Sequence, residues 1–148
     1  MPGNSRNIYK AAREAAGYTQ ERAAEMLGIS ETSIRAYETG NRIPPAEVVA
    51  LMMDAYNSQY LAVQHLRSSA ELARNVLPDV EQMRLPEAVM ELVDAIYQFA
   101  DAHRDRQLIS IAKDGVIDEN ERPEFDAIAT ELQKIVKAAM AVRYAKQG

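Results

Sequence analysis

Residues 18–42 read YTQERAAEMLGISETSIRAYETGNR, and they carry the start and stop signals of two short helices. Thr19 and Ser30 are favourable N-cap residues, because their side-chain oxygens can accept a hydrogen bond from a free backbone N–H in the first turn. Gly28 lies where the first helix must end, and glycine readily adopts the left-handed conformation that terminates a helix. The sequence therefore predicts two helices that meet in a sharp corner, over residues 20–27 and 31–39.

The residues around this corner divide into a core-facing set and an outward-facing set. Ile29, Ile34 and Tyr37 are expected to point into the core, and Ala24 is small enough to let the neighbouring helix pack closely. The residues left on the outer side are Glu31, Thr32, Ser33, Arg35 and Ala36. A short exposed helix at roughly a right angle to its neighbour has the geometry that enters a DNA major groove.

The same stretch resembles the Cro/cI (XRE) family of helix-turn-helix repressors. The resemblance includes the Thr-Gln opening at Thr19, the spacing of Ala24, Gly28 and Ile29, and a Glu-Thr-Gly ending with a basic residue after it. It covers about residues 6–66, which is less than half of the chain. It implies a five-helix, λ-repressor-like domain that binds double-stranded DNA.

The resemblance also assigns roles to the polar residues of the corner. Gln20, at the start of one helix, would bind a phosphate together with free backbone amides. Thr32 and Ser33 would face base edges, where Thr32 can contact a thymine methyl group. Glu31 has two readings, because its carboxylate either accepts a hydrogen bond from N4 of cytosine or only stabilises the start of the helix. Relatives often carry a polar base reader at the position of Ala36, so the alanine here implies fewer base contacts.

Five further residues complete what the resemblance implies. Arg35 would reach a guanine or a phosphate, and Asn41 and Arg42 would hold the DNA backbone beyond the recognition helix. Arg13 and Glu38 would form a partly buried structural pair that links the first and third helices. This pair is expected to support the architecture of the domain rather than to contact DNA.

The rest of the chain also shows helical periodicity, and no run alternates apolar and polar residues as a strand would. The fold is therefore predicted to be all-α. Pro44-Pro45 starts a fourth helix over residues 46–56, and Ser58 can cap a fifth helix that extends to Val76. The DNA-binding domain is expected to occupy residues 1–76.

Residues 77–148 predict a helical dimerisation or regulatory region. Apolar residues recur at helical spacing over 87–112, with one weak stretch around residues 104–107, and again over 122–146, so the two helices are expected to form an antiparallel hairpin. Two helices alone cannot bury all of these apolar residues, whereas a second hairpin would complete a four-helix bundle. We therefore expect a homodimer that forms through Val89, Leu92, Val93, Ile96, Ile128, Leu132, Ile135 and Val136.

The composition excludes several classes of function. The 148 residues include no cysteine and only two histidines, so a thiolate nucleophile and a metal centre are not expected. The sequence also has no Gly-rich phosphate loop and no nucleophile beside a base, so we expect no enzyme activity and no cofactor. Residues 1–6 lead into no apolar stretch, and no run is long enough to span a membrane, so a cytoplasmic protein without a signal peptide is expected.

Charge is unevenly distributed along the chain. Residues 1–45 carry six basic and five acidic side chains, whereas residues 86–133 carry four basic and twelve acidic side chains. Any polyanionic partner is therefore expected at the N-terminal end. The acidic residues of the second range form either a solvated face or an anionic surface for a basic partner.

These features together predict a sequence-specific transcriptional regulator, a repressor that binds a palindromic operator as a dimer. Small regulators of this layout resemble those encoded by prophages and other mobile elements. The alternative is a protein-interaction module, such as an antitoxin or an anti-repressor, whose acidic helical half binds a partner protein. The sequence singles out no pocket for a small-molecule effector.

Overall fold

The computed structural model describes residues 7–147, so the expectation about residues 1–6 lies outside the described part of the chain. Within that part all regular structure is helical, which confirms the all-α class. The helices are α1 Ile8–Ala15, α2 Gln20–Leu27, α3 Glu31–Thr39, α4 Ala46–Tyr56, α5 Tyr60–Ser69, α6 Glu71–Val76, α7 Leu85–Asp101, α8 Arg104–Ala112 and α9 Arg122–Arg143.

The chain forms two compact units that divide between Leu77 and Pro78. The first unit contains α1 to α6, and the second contains α7 to α9. Among the described residues, no helix has both the length and the apolar character that crossing a bilayer requires.

The first unit is built around one apolar core, to which α1 to α5 all contribute. Its largest fully buried apolar side chains come from α3, α4 and α5, namely Ile34, Met52 and Leu61. Tyr9 of α1 and the alanines of α2 pack against these residues. Burial of each large apolar side chain contributes on the order of 1.5–3 kcal/mol. This core therefore holds α3 in a fixed orientation, and the opposite face of α3 stays at the protein surface.

The prediction of a fifth helix that extends without a break to Val76 is wrong. The structure has two helices there, because Ala70 adopts an extended backbone conformation with φ −131° and ψ 111°. The hydroxyl groups of Ser68 and Ser69 both donate to the carbonyl of His65, at 3.1 and 2.6 Å. Serine hydroxyls that bond back to a helix carbonyl compete with the helical backbone pattern, which accounts for the end of α5.

In the second unit, α7 and α9 pack against each other as an antiparallel hairpin, as predicted. The start of α7 lies beside the end of α9, where Leu85 N–H donates to the Lys146 carbonyl at 3.1 Å. Beyond the end of α7, the guanidinium of Arg104, the first residue of α8, pairs with Glu131 of α9 at 3.1 Å.

The prediction of one continuous helix over residues 87–112 is also wrong. The backbone leaves the helical conformation at Ala102, and His103 has a φ of 57°, in the left-handed region. A non-glycine residue in that region costs roughly 1–2 kcal/mol. The break separates α7 from α8 and lets α8 turn back against α9.

Candidate nucleic-acid interface

The corner between α2 and α3 is defined by hydrogen bonds within single turns of the chain. Thr19 Oγ1 accepts from the backbone N–H of Arg22 at 3.1 Å, and Ser30 Oγ accepts from that of Ser33 at 3.1 Å. Gly28 ends α2 with a φ of 68°, as predicted, and the next N–H donates back into α2. These caps satisfy backbone groups that a helix terminus would otherwise leave free, so the corner is set by its own sequence.

Close packing of α2 against α3 also follows from small side chains. Ala23 and Ala24 are both buried, and larger residues there would push the helices apart. On α3, Ile34 and Tyr37 point into the core as expected. The opposite side of α3 is therefore the side that remains available to a partner.

The outer face of α3 carries the residues that the sequence assigned to base contacts. Thr32 and Arg35 are exposed, while Glu31 and Ser33 are half-buried. Arg35 Nη2 donates to Glu31 Oε1 at 2.8 Å, one helical turn away. The capping hydrogen bond at the start of α3 is made by Ser30, and the carboxylate of Glu31 instead accepts from Arg35.

The loop after α3 places Asn41 and Arg42 at the edge of this face, and both residues are exposed. Arg42 does not extend away from the protein. Its Nη2 donates to Ser33 Oγ at 2.8 Å, and its guanidinium carbon lies 5.2 Å from the centroid of the Tyr37 ring. Sequence reasoning missed these contacts, because no local pattern indicates that a side chain nine positions away will fold back onto a helix.

Gln20 lies at the start of α2, half-buried, and its Nε2 donates to Glu38 Oε1 at 3.4 Å. Glu38 itself is paired with Arg13, whose Nε and Nη2 donate to the carboxylate at distances between 2.8 and 3.1 Å. A further donor, Arg13 Nη1, reaches the Tyr18 carbonyl at 2.7 Å. The pair thus joins α1, the loop before α2, and α3, and it lies next to the side chain of Gln20.

The contacts with Glu38 favour the charged state of Arg13. The hydrogen bonds to Glu38 raise the pKa of Arg13 above its ordinary value, although burial acts in the opposite direction. Both side chains are more than nine-tenths buried. A buried charge is tolerated when it is paired and hydrogen-bonded, as it is here.

The residues predicted for the dimer interface are divided by the structure into three groups. Val89, Val93, Ile96 and Val136 are exposed, with between 38% and 46% of each residue accessible. Leu92, Leu132 and Ile135 are half-buried. Ile128 is fully buried within the second unit, so it is not available to a second copy and its assignment to the interface is wrong.

No group of three or more histidine or acidic side chains in residues 7–147 is arranged to hold a metal ion. Two helices joined by a capped glycine corner, with the second helix exposed on its polar face, define a helix-turn-helix protein.

Comparison with known proteins agrees with this class. A helix-turn-helix family profile matches residues 10–61. The uncharacterized HTH-type transcriptional regulator YazB of Bacillus subtilis (strain 168) is 42% identical over 48 residues, which is 32% of this chain and 70% of that protein. The chain belongs to the XRE-type helix-turn-helix family, as the resemblance implied.

The HTH-type transcriptional regulator ImmR, also of Bacillus subtilis (strain 168), is 32% identical over 85 residues, 57% of this chain. That match covers 65% of the length of ImmR, somewhat less than two thirds of it. No solved structure matches the chain with significance.

Proposed function

We propose that this protein is a sequence-specific DNA-binding transcriptional regulator, a repressor, that binds a palindromic operator as a dimer. The observation that carries the proposal is the outer face of α3, where Thr32 and Arg35 are exposed on a helix held by a buried core. The family assignment supports it, since both similar proteins are named as HTH-type transcriptional regulators.

In this account α3 enters the major groove with its N-terminal end toward the bases. Thr32 contacts a thymine methyl group, and Arg35 donates to a guanine or to a phosphate after it is released from Glu31. The freed Glu31 carboxylate can then accept a hydrogen bond from a cytosine. Gln20 and the free amides at the start of α2 bind a phosphate and set the register of the domain.

The charge of the chain argues for two copies on one operator. The formal net charge is −5, so non-specific attraction to DNA is weak and affinity must come from specific contacts. One recognition helix contacts only a few base pairs, each worth about 1–3 kcal/mol of discrimination. Two linked domains on half-sites one helical turn apart combine both sets of contacts.

The surface we assign to the dimer is the outer face of α7. Ala88 of α7 is buried and Leu92 and Phe99 are half-buried, whereas Val93 and Ile96 lie on an adjacent stripe that stays exposed. Leu85, Val89, Met90, Tyr97 and, on α9, Val136 enlarge the exposed apolar area. Exposed apolar patches of this kind mark interaction surfaces, and pairing two hairpins gives a four-helix bundle.

The experiment that tests this function is selection of bound fragments from random duplex DNA by the full chain. We expect enrichment of an inverted repeat whose half-sites are centred about 10 base pairs apart. A transcription assay on a promoter that contains this sequence should then show reduced transcription in the presence of the protein. Enrichment of a single, non-repeated half-site would contradict the dimer.

Failure to enrich any sequence would favour the alternative, a protein-interaction module. The specific observation on its side is the twelve acidic residues of 86–133 in the second unit. In that case a full-length chain should retain a basic partner protein from solution, and substitutions on α3 should not affect this binding.

A further inference from the structure

Arg42 folds back from the loop after α3 and lies against the outer face of that helix. Its backbone N–H donates to the Ala36 carbonyl at 3.1 Å, which directs the loop toward the helix. Its guanidinium carbon is 5.2 Å from the centroid of the Tyr37 ring, and Nη2 donates to Ser33 Oγ at 2.8 Å. The backbone hydrogen bond thus fixes the loop, and the guanidinium itself is held by an aromatic ring and a hydroxyl group.

Arg42 also supplies uncompensated positive charge at this face. Arg35, the other arginine of the predicted interface, is neutralised by Glu31 at 2.8 Å. The Arg42 side chain has no carboxylate partner in the part of the chain that the structure describes, and the residue is exposed. Only one of its donors is used by Ser33, so most of the five N–H groups of the guanidinium can bind an anion.

Ser33 is poorly suited to accept a hydrogen bond from a base. Its Oγ accepts from Arg42 at 2.8 Å and from the hydroxyl of Ser30 at 2.9 Å. A hydroxyl oxygen has two lone pairs, and both are occupied by these donors. The hydroxyl of Ser33 therefore faces Arg42 and Ser30, and the residue fits a role in fixing the guanidinium.

Building on the DNA binding proposed above, we infer that Arg42 is a preset phosphate-binding residue and that Ser33 is a positioning residue acting through it. An arginine whose planar group is already ordered loses less rotamer freedom when it binds a phosphate. A phosphate contact carries no sequence information, so it contributes equally to operator and non-operator DNA. This assignment replaces the base-reading role that the resemblance gave to Ser33.

The test is a double-mutant cycle on the full chain with S33A, R42A and the combined variant. Fluorescence anisotropy would measure binding to the selected operator and to a scrambled duplex over a range of salt concentrations. We expect S33A to weaken binding to both duplexes by the same factor, about 2- to 12-fold. R42A should also lower the slope of log affinity against log salt concentration by about one, and S33A should add nothing in the R42A background.

Lys113→Ala is the matched charge control, because Lys113 is exposed in the second unit and its removal should leave the salt slope unchanged. The capping bond from the Ser33 backbone N–H to Ser30 Oγ is unaffected by S33A, and circular dichroism would verify that the variants remain folded.

Two results would overturn the inference while leaving the proposed function intact. If S33A changed the selected sequence at one position and left non-operator binding unchanged, Ser33 would be a direct base reader. If the effects of S33A and R42A were additive, the two residues would act independently. Failure of the wild-type chain to bind any duplex would overturn the proposed function, and this inference with it.

Discussion

Arg13 and Glu38 stand 25 positions apart in the sequence and form a buried ion pair with a shortest distance of 2.8 Å. The pair connects α1 to the end of α3, and Glu38 accepts an additional hydrogen bond from Gln20. Gln20, the candidate phosphate-binding residue at the start of α2, is therefore hydrogen-bonded to the same carboxylate that anchors α3 to α1. If Gln20 binds a phosphate as proposed, stability and DNA binding are coupled through Glu38.

Removal of this carboxylate should destabilise the first unit strongly. Glu38→Ala leaves the Arg13 charge buried without a partner, and such a change costs about 3–5 kcal/mol. The free energy of unfolding can be measured by urea denaturation followed by circular dichroism. Glu25→Ala is the matched control, because it breaks the exposed pair with Arg22 at 2.9 Å and should cost less than about 1 kcal/mol. Equal losses for the two variants would contradict the structural role of the buried pair.

The cost of replacing Gly28 should be set by its backbone conformation rather than by the space available for a side chain. Apart from the adjacent residues of the chain, no atom lies within 4 Å of a Cβ built at this position, but its φ is +68°. Gly28→Ala should therefore cost about 1–2 kcal/mol from the left-handed backbone alone. Gly28→Asn should cost less, since asparagine adopts this conformation more readily. The ranking of the two variants in thermal unfolding tests the prediction, and an alanine variant as stable as wild type would refute it.

His65 should make the stability of the first unit depend on pH. The residue is buried and shares a hydrogen bond of 2.7 Å with the hydroxyl of Tyr9. Burial lowers the pKa of His65 below the ordinary value of 6.5. Below pH 6.5 the unfolded chain therefore binds a proton that the folded chain does not, so stability is fully present above that pH and is lost as pH falls toward the folded-state pKa.

Urea denaturation of the wild type between pH 7.5 and 5 should show this decrease, and His65→Gln should reduce its slope. The comparison uses the slope within each protein, because the substitution also removes a buried hydrogen bond and lowers stability at every pH. A glutamine variant with the same pH dependence as the wild type would show that other groups are responsible.

The exposed stripe of α7 should control the oligomeric state. Val93→Asp combined with Ile96→Asp places two charges in the proposed interface, where they would be buried without partners. Sedimentation equilibrium of the full chain at micromolar concentration should give a dimer for the wild type and a monomer for this variant. Val116→Asp is the matched control, since Val116 is also exposed but lies outside the stripe. A monomeric wild type would contradict the dimer directly.

The sequence predicted the elements whose limits are set within one turn. Thr19, Gly28 and Ser30 act through hydrogen bonds and backbone conformations of their immediate neighbours, so α2 and α3 begin and end where expected. The break at Ala70 was not predictable in the same way, because alanine itself favours a helix. The left-handed backbone conformation of His103 was not predictable either, since a positive φ at a residue other than glycine has no strong sequence signal.

The candidate site was predictable as a set of residues but not as a set of contacts. Helical periodicity places Arg35 and Ser33 on the outer face of α3. It does not predict that Glu31 pairs with Arg35 or that Arg42 donates to Ser33. The same limit explains Ile128. Its spacing identifies an apolar face of α9, whereas only the packed hairpin determines that this position is covered by the chain itself.

The most direct test of the central claim compares the wild type with the Thr32→Ala, Arg35→Ala double variant in DNA selection and in titration of the selected operator. Both residues are exposed, so the variant should keep the unfolding free energy of the wild type within about 0.5 kcal/mol. We predict that the wild type enriches an inverted repeat and that the double variant loses this preference while it still binds DNA weakly. Enrichment of the same sequence by both proteins would contradict the assignment of α3 as the element that reads DNA.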